Sequence, residues 1–191
     1  MAKFAGKYRE SKNSIAVFKS HVYKKVSLKL RRGRPLDQAW FNNYNTLAKT
    51  NKHLPKLLSL ISDTEFTMEK VDIKEDLETY FRHSTSPYGK KFFSEGSELK
   101  VVCEHNDMQI KILDAFNTCW IQGLRYSQEN RQSKISFFVH GDMSLRNFVI
   151  TKQNNIMLLD PDAYSWQGNY IFAKHFAQYT QLYGNVIKNM A

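Results

Sequence analysis

Cysteine is scarce in this chain: only Cys103 and Cys119 occur, with neither a C-x-x-C pair nor a histidine cluster near them. That pattern excludes a disulfide framework or a structural zinc site and reads as two core thiols in a reducing compartment. Long apolar runs are missing too. No stretch approaches the roughly 18 apolar residues of a membrane span. Met1 to Arg9 is polar and basic, without the apolar run of a signal peptide behind it. The expected location is therefore cytoplasmic. There is no internal repeat and no low-complexity linker, so 191 residues make one domain or two lobes sharing a cleft. Acidic residues are in deficit, 18 against 28 basic ones, for a net charge of +10. The surplus is crowded at Lys24, Lys25, Lys29, Arg31, Arg32 and Arg34. It implies either an anionic partner, such as nucleic acid or an acidic protein, or a solvated surface.

What is present is enough for a core: 42% hydrophobic and 14% aromatic residues. Ser14–Lys19 and His21–Leu28 are rich in β-branched and aromatic residues and predict a hairpin, with Gly6–Asn13 a polar loop before it. Asp37 is a candidate N-cap, and Trp40, Tyr44, Leu47 and Ala48 follow at helical spacing, which predicts a helix over 37–50. Leu57–Ile61 and Phe66–Val71 flank a turn and predict two strands. A short helix after residue 74 and a loop over 84–99 come next. Leu113, Phe116, Trp120 and Leu124 predict a long amphipathic helix over about 108–127. Ile135–Val139 predicts a buried strand, and Phe148–Thr151 with Ile156–Leu159 predicts a hairpin turned by K-Q-N-N. Phe172, Phe176, Tyr179, Tyr183 and Val186 predict a last helix. The fold class is α+β, with a small antiparallel sheet and one helix over 1–71 and a mainly helical part over 72–191.

One segment carries chemistry: His140-Gly141-Asp142-Met143-Ser144-Leu145-Arg146-Asn147, then the hairpin, then Leu158-Leu159-Asp160-Pro161-Asp162. An apolar strand delivers His140 and Asp142 to its end, an amide oxygen follows at Asn147, and the hairpin returns Asp160 beside them. Two hard oxygen ligands and a nearby base suit Mg²⁺ carried on substrate phosphates, since magnesium takes only one or two carboxylates from a protein. Phosphoryl transfer needs positioned reactants, metal charge and a base for the acceptor hydroxyl.

The segment resembles the H-R-D-x-x-x-x-N motif of kinases followed by a metal-binding Asp. Gly141 in place of Arg, and the Asp160-x-Asp162 ending, resemble the aminoglycoside phosphotransferase/choline kinase family. That resemblance implies a two-lobed protein-kinase-like fold that binds ATP and Mg²⁺. Asp142 would be the catalytic base, Asn147 and Asp160 the metal ligands, Asp162 an auxiliary acidic group at the metal, and His140 a structural brace. A phosphate loop would involve Ser11, Asn13 and Ser14. The cleft lysine would be Lys24 or Lys25, which face opposite sides of a strand. Glu69 and Val71, in F-T-M-E-K-V, would meet adenine through their backbones.

Four departures from the family pattern stand out. G-x-G-x-x-G is absent from the phosphate loop, and Trp40-Phe41-Asn42-Asn43-Tyr44 lacks the acid that should pair with the lysine, so either Asn43 substitutes or the lysine is held otherwise. Tyr170–Lys174 lacks the acidic residue of the small-molecule branch, and only residues 163–191 follow Asp162, fewer than the family's usual further helices need. These imply a trimmed kinase with an open acceptor site, or a kinase-like binding or inhibitory protein whose basic surface docks on nucleic acid or an acidic protein.

Overall fold

The computed structural model describes residues 3–4, 13–27, 35–82, 106–130 and 136–168, and positions 173, 176, 177 and 180. The first half is an antiparallel sheet with one helix. Strands β1 (Lys3–Phe4), β2 (Ser14–Val17), β3 (His21–Lys25), β4 (Leu57–Ser62) and β5 (Glu65–Glu69) lie in the order β1-β2-β3-β5-β4. The register pairs Ile15 with Lys24 and Lys24 with Phe66, so Lys24 sits in the middle of the sheet.

Helix α1 (Gln38–Thr50) begins where Asp37 caps it, its Oδ1 accepting the Trp40 N–H at 2.6 Å. Trp40, Tyr44, Leu47 and Ala48 are buried, as their spacing predicts. This face ties the two halves together. The Trp40 ring meets Phe66 at 5.5 Å between centroids, and its Nε1–H donates to the Tyr164 carbonyl at 3.1 Å. Tyr44 packs on the Tyr164 ring at 5.3 Å and donates its hydroxyl to the Pro55 carbonyl.

The second half contains β6 (Ile73–Asp76), α2 (Leu77–Arg82), α3 (Asn106–Asn130), β7 (Ser136–His140), β8 (Phe148–Thr151), β9 (Ile156–Leu158) and β10 (Tyr164–Gly168). Strands β6, β8 and β9 form one small antiparallel sheet, and β10 pairs with β7 in another. The described residues of this half thus hold α2, α3 and the helical positions 173, 176, 177 and 180 beside five strands, more sheet than a mainly helical reading predicts. Strands β6 and β10 carry no strand pattern of their own in the sequence. Ile-Lys-Glu-Asp has a single apolar residue, and Tyr-Ser-Trp-Gln-Gly buries Tyr164 and Gln167 without alternation. Both owe their extended state to a partner strand distant in sequence.

Helix α3 lies close on β7. An added Cβ at Gly123 would stand 3.2 Å from the Phe138 carbonyl oxygen. The Ser127 hydroxyl donates to the Gly123 carbonyl and accepts the Phe138 N–H, bridging helix and strand. Phe116 and Trp120 are buried, and Leu113 and Leu124 pack against the core. Of the predicted last helix, only Phe176 among the quoted residues is described; it is helical and packs on Trp120 at 5.8 Å. The predicted loop over 84–99 lies outside the described residues. Among the described residues no helix is long and apolar enough to cross a membrane.

Candidate active site

Strand β7 ends at His140, which is 2% exposed. Its Nε2 lies 3.0 Å from the Leu159 carbonyl oxygen, and its Nδ1 accepts the Asp142 N–H at 3.1 Å. A neutral ring protonated on Nε2 satisfies both bonds. Burial pushes the imidazole pKa below its ordinary 6.5, against the pull of the Leu159 carbonyl and the charges of Asp160, Asp142 and Asp162. The imidazole thus links the end of β7 to the backbone of both the Asp142 loop and the segment leading into Asp160.

The loop after His140 is held at both ends. Gly141 N–H donates to the Ala163 carbonyl, Asn147 N–H to Ser144, and Leu159 N–H to the Asn147 carbonyl. The Asn147 side-chain NH₂ donates to the Asp142 carbonyl at 2.8 Å and to its Oδ2 at 2.9 Å. This fixes the exposed Asp142 carboxylate and orients the Asn147 amide oxygen as the acceptor of that side chain.

From β9 the chain turns at Asp160, whose backbone is left-handed at φ 58° and ψ 58°. An L-residue pays about 1–2 kcal/mol for that conformation, and Asp is among those that tolerate it best. A one-turn 3₁₀ segment, Pro161–Ala163, then delivers Asp162.

Against these acids stands Lys24. Its residue is 3% exposed, and Nζ lies 2.8 Å from Asp160 Oδ1 and 2.6 Å from Asp162 Oδ1. Burial pulls the ammonium pKa down, but the charges of Asp162 and Asp160, with their hydrogen bonds, raise it above 10.5. For Asp160, burial raises the carboxyl pKa, and the attraction of Lys24 outweighs it and brings the group below 3.8. The strand alternation that left two lysines open is resolved in space: Lys24 points inward and the exposed Lys25 pairs with Glu65 at 2.9 Å.

The remaining predicted residues are distributed as follows. Asn13 Oδ1 accepts the Ser27 N–H at 2.9 Å, bracing the hairpin. Ser14 is exposed and pairs with Lys25 across the strands, and Ser11 lies outside the described residues. The Glu69 N–H already donates to the Lys56 carbonyl, and its carboxylate accepts the Lys56 N–H. Val71 is half-buried in the connector that follows. Asn43 takes no part: its Oδ1 accepts the Tyr126 hydroxyl at 2.7 Å. Arg146, beside Asn147, forms an ion pair with Glu78 on α2, a contact the sequence reading did not foresee.

A cavity of about 460 Å³ among the described residues is lined by His53, Glu69, Val71, Lys111, Asp114 and neighbouring residues and includes none of Lys24, Asp142, Asn147, Asp160 or Asp162. Its charges are largely paired, Lys52 with Asp114 and Lys70 with Asp72. Buried charge and convergent polar atoms coincide instead at the motif cluster of Lys24, Asp142, Asn147, Asp160 and Asp162.

Among the described residues no group of three or more His, Cys, Asp or Glu side chains is arranged to hold a metal ion. The available donors are an amide oxygen at Asn147 and a half-exposed carboxylate at Asp160. That hard-oxygen set suits magnesium that keeps waters and phosphate oxygens as its other ligands.

No family model matches the sequence, and none of the curated proteins is similar to it. Among solved structures, the chain is similar to the streptomycin–ATP–APH(2'')-IIa ternary complex, with TM-score 0.44 and 13% identity over 90% of this chain and 68% of that one. It is also similar to the ADP-bound aminoglycoside phosphotransferase APH(2'')-Ib, with TM-score 0.43 and 12% identity over the same shares. A third is the gentamicin–APH(2'')-IIa complex, with TM-score 0.41 and 14% identity over 83% of this chain and 64% of that one.

Proposed function

We propose that the protein is an ATP- and Mg²⁺-dependent phosphotransferase of two-lobed, kinase-like fold, its lobes spanning 1–71 and 72–191, that moves the γ-phosphate to a hydroxyl acceptor. The observation that carries this reading is the meeting of a buried strand lysine with Asp160 and Asp162 beside the tethered pair Asp142 and Asn147. Catalysis of phosphoryl transfer is mostly positioning and charge. Lys24 supplies a fixed ammonium for phosphate oxygens. Asp142, exposed and held by the Asn147 amide, accepts the proton of the acceptor hydroxyl as the bond to phosphorus forms. His140 keeps the Asp142 backbone and the Asp160 turn in register. Magnesium, held by Asn147 and Asp160, would neutralise charge on the phosphates. The connector at Glu69–Val71 receives the base. The acceptor, small molecule or macromolecule, is recognised outside this set.

The test is thermal unfolding with and without Mg²⁺–ATP, alongside an assay of ATP consumption over a panel of hydroxyl acceptors. At about 100 times its dissociation constant, the nucleotide stabilises the fold by roughly 2.7 kcal/mol. The wild type is expected to show that shift, Asp160→Asn to lose it, and Asp142→Ala to keep it while losing turnover. Full turnover in Asp142→Ala would refute its role as the base.

The missing acid on α1 and the +10 charge favour a second reading: a catalytically weak kinase-like protein that docks on nucleic acid or an acidic protein. It predicts no nucleotide shift and an affinity for nucleic acid that falls steeply with salt.

A further inference from the structure

Helix α1 reads Gln-Ala-Trp-Phe-Asn-Asn-Tyr-Asn-Thr-Leu-Ala-Lys-Thr and has no carboxylate to give a lysine. Asn43, the nearest polar substitute by sequence, is engaged by Tyr126. A lysine buried to 3% exposure nevertheless needs a counter-charge in place, because an unpaired ammonium is costly away from water. Two acids meet that need, and they are not equivalent. The Asp162 side chain is 11% exposed and makes the shorter contact, 2.6 Å; the Asp160 side chain is 46% exposed and makes the longer one, 2.8 Å.

We propose that Asp162 is the positioning residue of Lys24, doing from the 3₁₀ turn after Asp160 what the acid missing from α1 would do, and is not itself a metal ligand. The proposal rests on the nucleotide site proposed above. The division of labour follows from exposure. The enclosed carboxylate keeps the lysine at the centre of the sheet whatever its neighbour is doing. The open carboxylate, on its left-handed backbone, is the one that a ligand can reach. Both acids belong to one short segment, Asp160-Pro161-Asp162, whose proline and 3₁₀ turn fix the spacing between anchor and ligand. The lysine is thus held from the same turn that presents Asp160.

An anchor and a metal ligand differ in how they depend on the metal. Isothermal titration with ADP is compared in excess EDTA and in Mg²⁺, for wild type, Asp162→Asn and Asp160→Asn. Asp162→Asn is expected to weaken binding by at least about tenfold in both conditions, the scale of a hydrogen bond to a charged group. Asp160→Asn is expected to weaken binding mainly when Mg²⁺ is present. In a Lys24→Met background, Asp162→Asn should cause no further loss, since it acts only through the lysine. A loss in Asp162→Asn confined to the Mg²⁺ condition, or no loss in either, overturns the proposal and leaves the nucleotide site standing. Failure of the wild type to bind ADP at all overturns the nucleotide site and the proposal with it. Melting of the ligand-free proteins supplies a measure independent of nucleotide: Asp162→Asn should lower Tm more than Asp160→Asn does, and the reverse order counts against the anchor. Should Asp162→Asn fold poorly, Asp162→Glu, which keeps the charge, is expected to restore metal-free ADP binding, and its failure to do so in a folded variant also overturns the assignment.

Discussion

Replacing His140 by Phe tests the brace on which the site depends. The phenyl ring keeps the volume of the imidazole and its edge-on contact with Tyr164, now at 5.1 Å between centroids. It removes two hydrogen bonds. The Leu159 carbonyl loses its imidazole donor in a partly buried position, which costs about 1–3 kcal/mol. The Asp142 N–H loses its acceptor but belongs to an exposed residue that water reaches, so its share is about 0.5–1.5 kcal/mol. The expected total is about 1.5–4.5 kcal/mol, which for a chain of this length lowers Tm by roughly 3–18 °C. Urea unfolding at several pH values adds a second signature. Burial lowers the pKa of His140 below 6.5, so the unfolded chain takes up a proton before the folded one does. The native contribution is complete above pH 6.5 and is lost as pH falls through the folded-state value, with a slope no steeper than about 1.4 kcal/mol per pH unit. His140→Phe is expected to lose that phase. A variant as stable as wild type, or one that keeps the same acid-side decline, would refute the assignment of His140 as a neutral double-ended brace.

Other substitutions separate neighbouring roles. Lys24→Met should weaken binding of Mg²⁺–ATP in calorimetry by about tenfold or more while leaving it measurable, whereas Lys25→Met, which removes an exposed pair with Glu65, should leave both binding and Tm nearly unchanged. Trp40→Phe keeps the ring packing on Phe66 but strips the buried Tyr164 carbonyl of its donor, for an expected loss of about 1–3 kcal/mol in urea unfolding. Asp37→Ala removes the cap of α1 and should cost about 1 kcal/mol, or roughly 2–4 °C in Tm, without changing nucleotide affinity.

Much of this was legible because local rules and tertiary structure agree. The hairpin over residues 14–25, the capped helix with its Trp40–Tyr44–Leu47–Ala48 face, and the hairpin over 148–158 each carry their own periodicity and turn chemistry. The motif placed Asp142, Asn147 and Asp160 beside one another because strand, loop and hairpin lengths nearly determine the return path. What escaped was long-range. Alternation says that Lys24 and Lys25 diverge, not which one faces inward; the choice follows from acids some 136 residues away. Strand β10 is specified by its pairing with β7, Tyr164 opposite His140, more than by its own composition. The closeness of Asp162 to Lys24 Nζ likewise appears only once the 3₁₀ turn is folded.

The interleaved bonds around His140 have a consequence for local opening. Gly141 is tied to Ala163, His140 to Leu159 and Asp142, Asn147 to Leu159, and β7 to β10. Neither segment can detach while the other stays in place, so the Asp142 loop and the Asp160 turn form a single cooperative opening unit. Amide hydrogens at Gly141, Asn147, Leu159 and Ala163 should therefore exchange with solvent at a common free energy of opening. The K-Q-N-N tip between β8 and β9 carries none of these ties, its Lys152 N–H donating instead to the Asp72 carbonyl, and it is where the chain can accept inserted residues without the two halves of the motif losing their alignment.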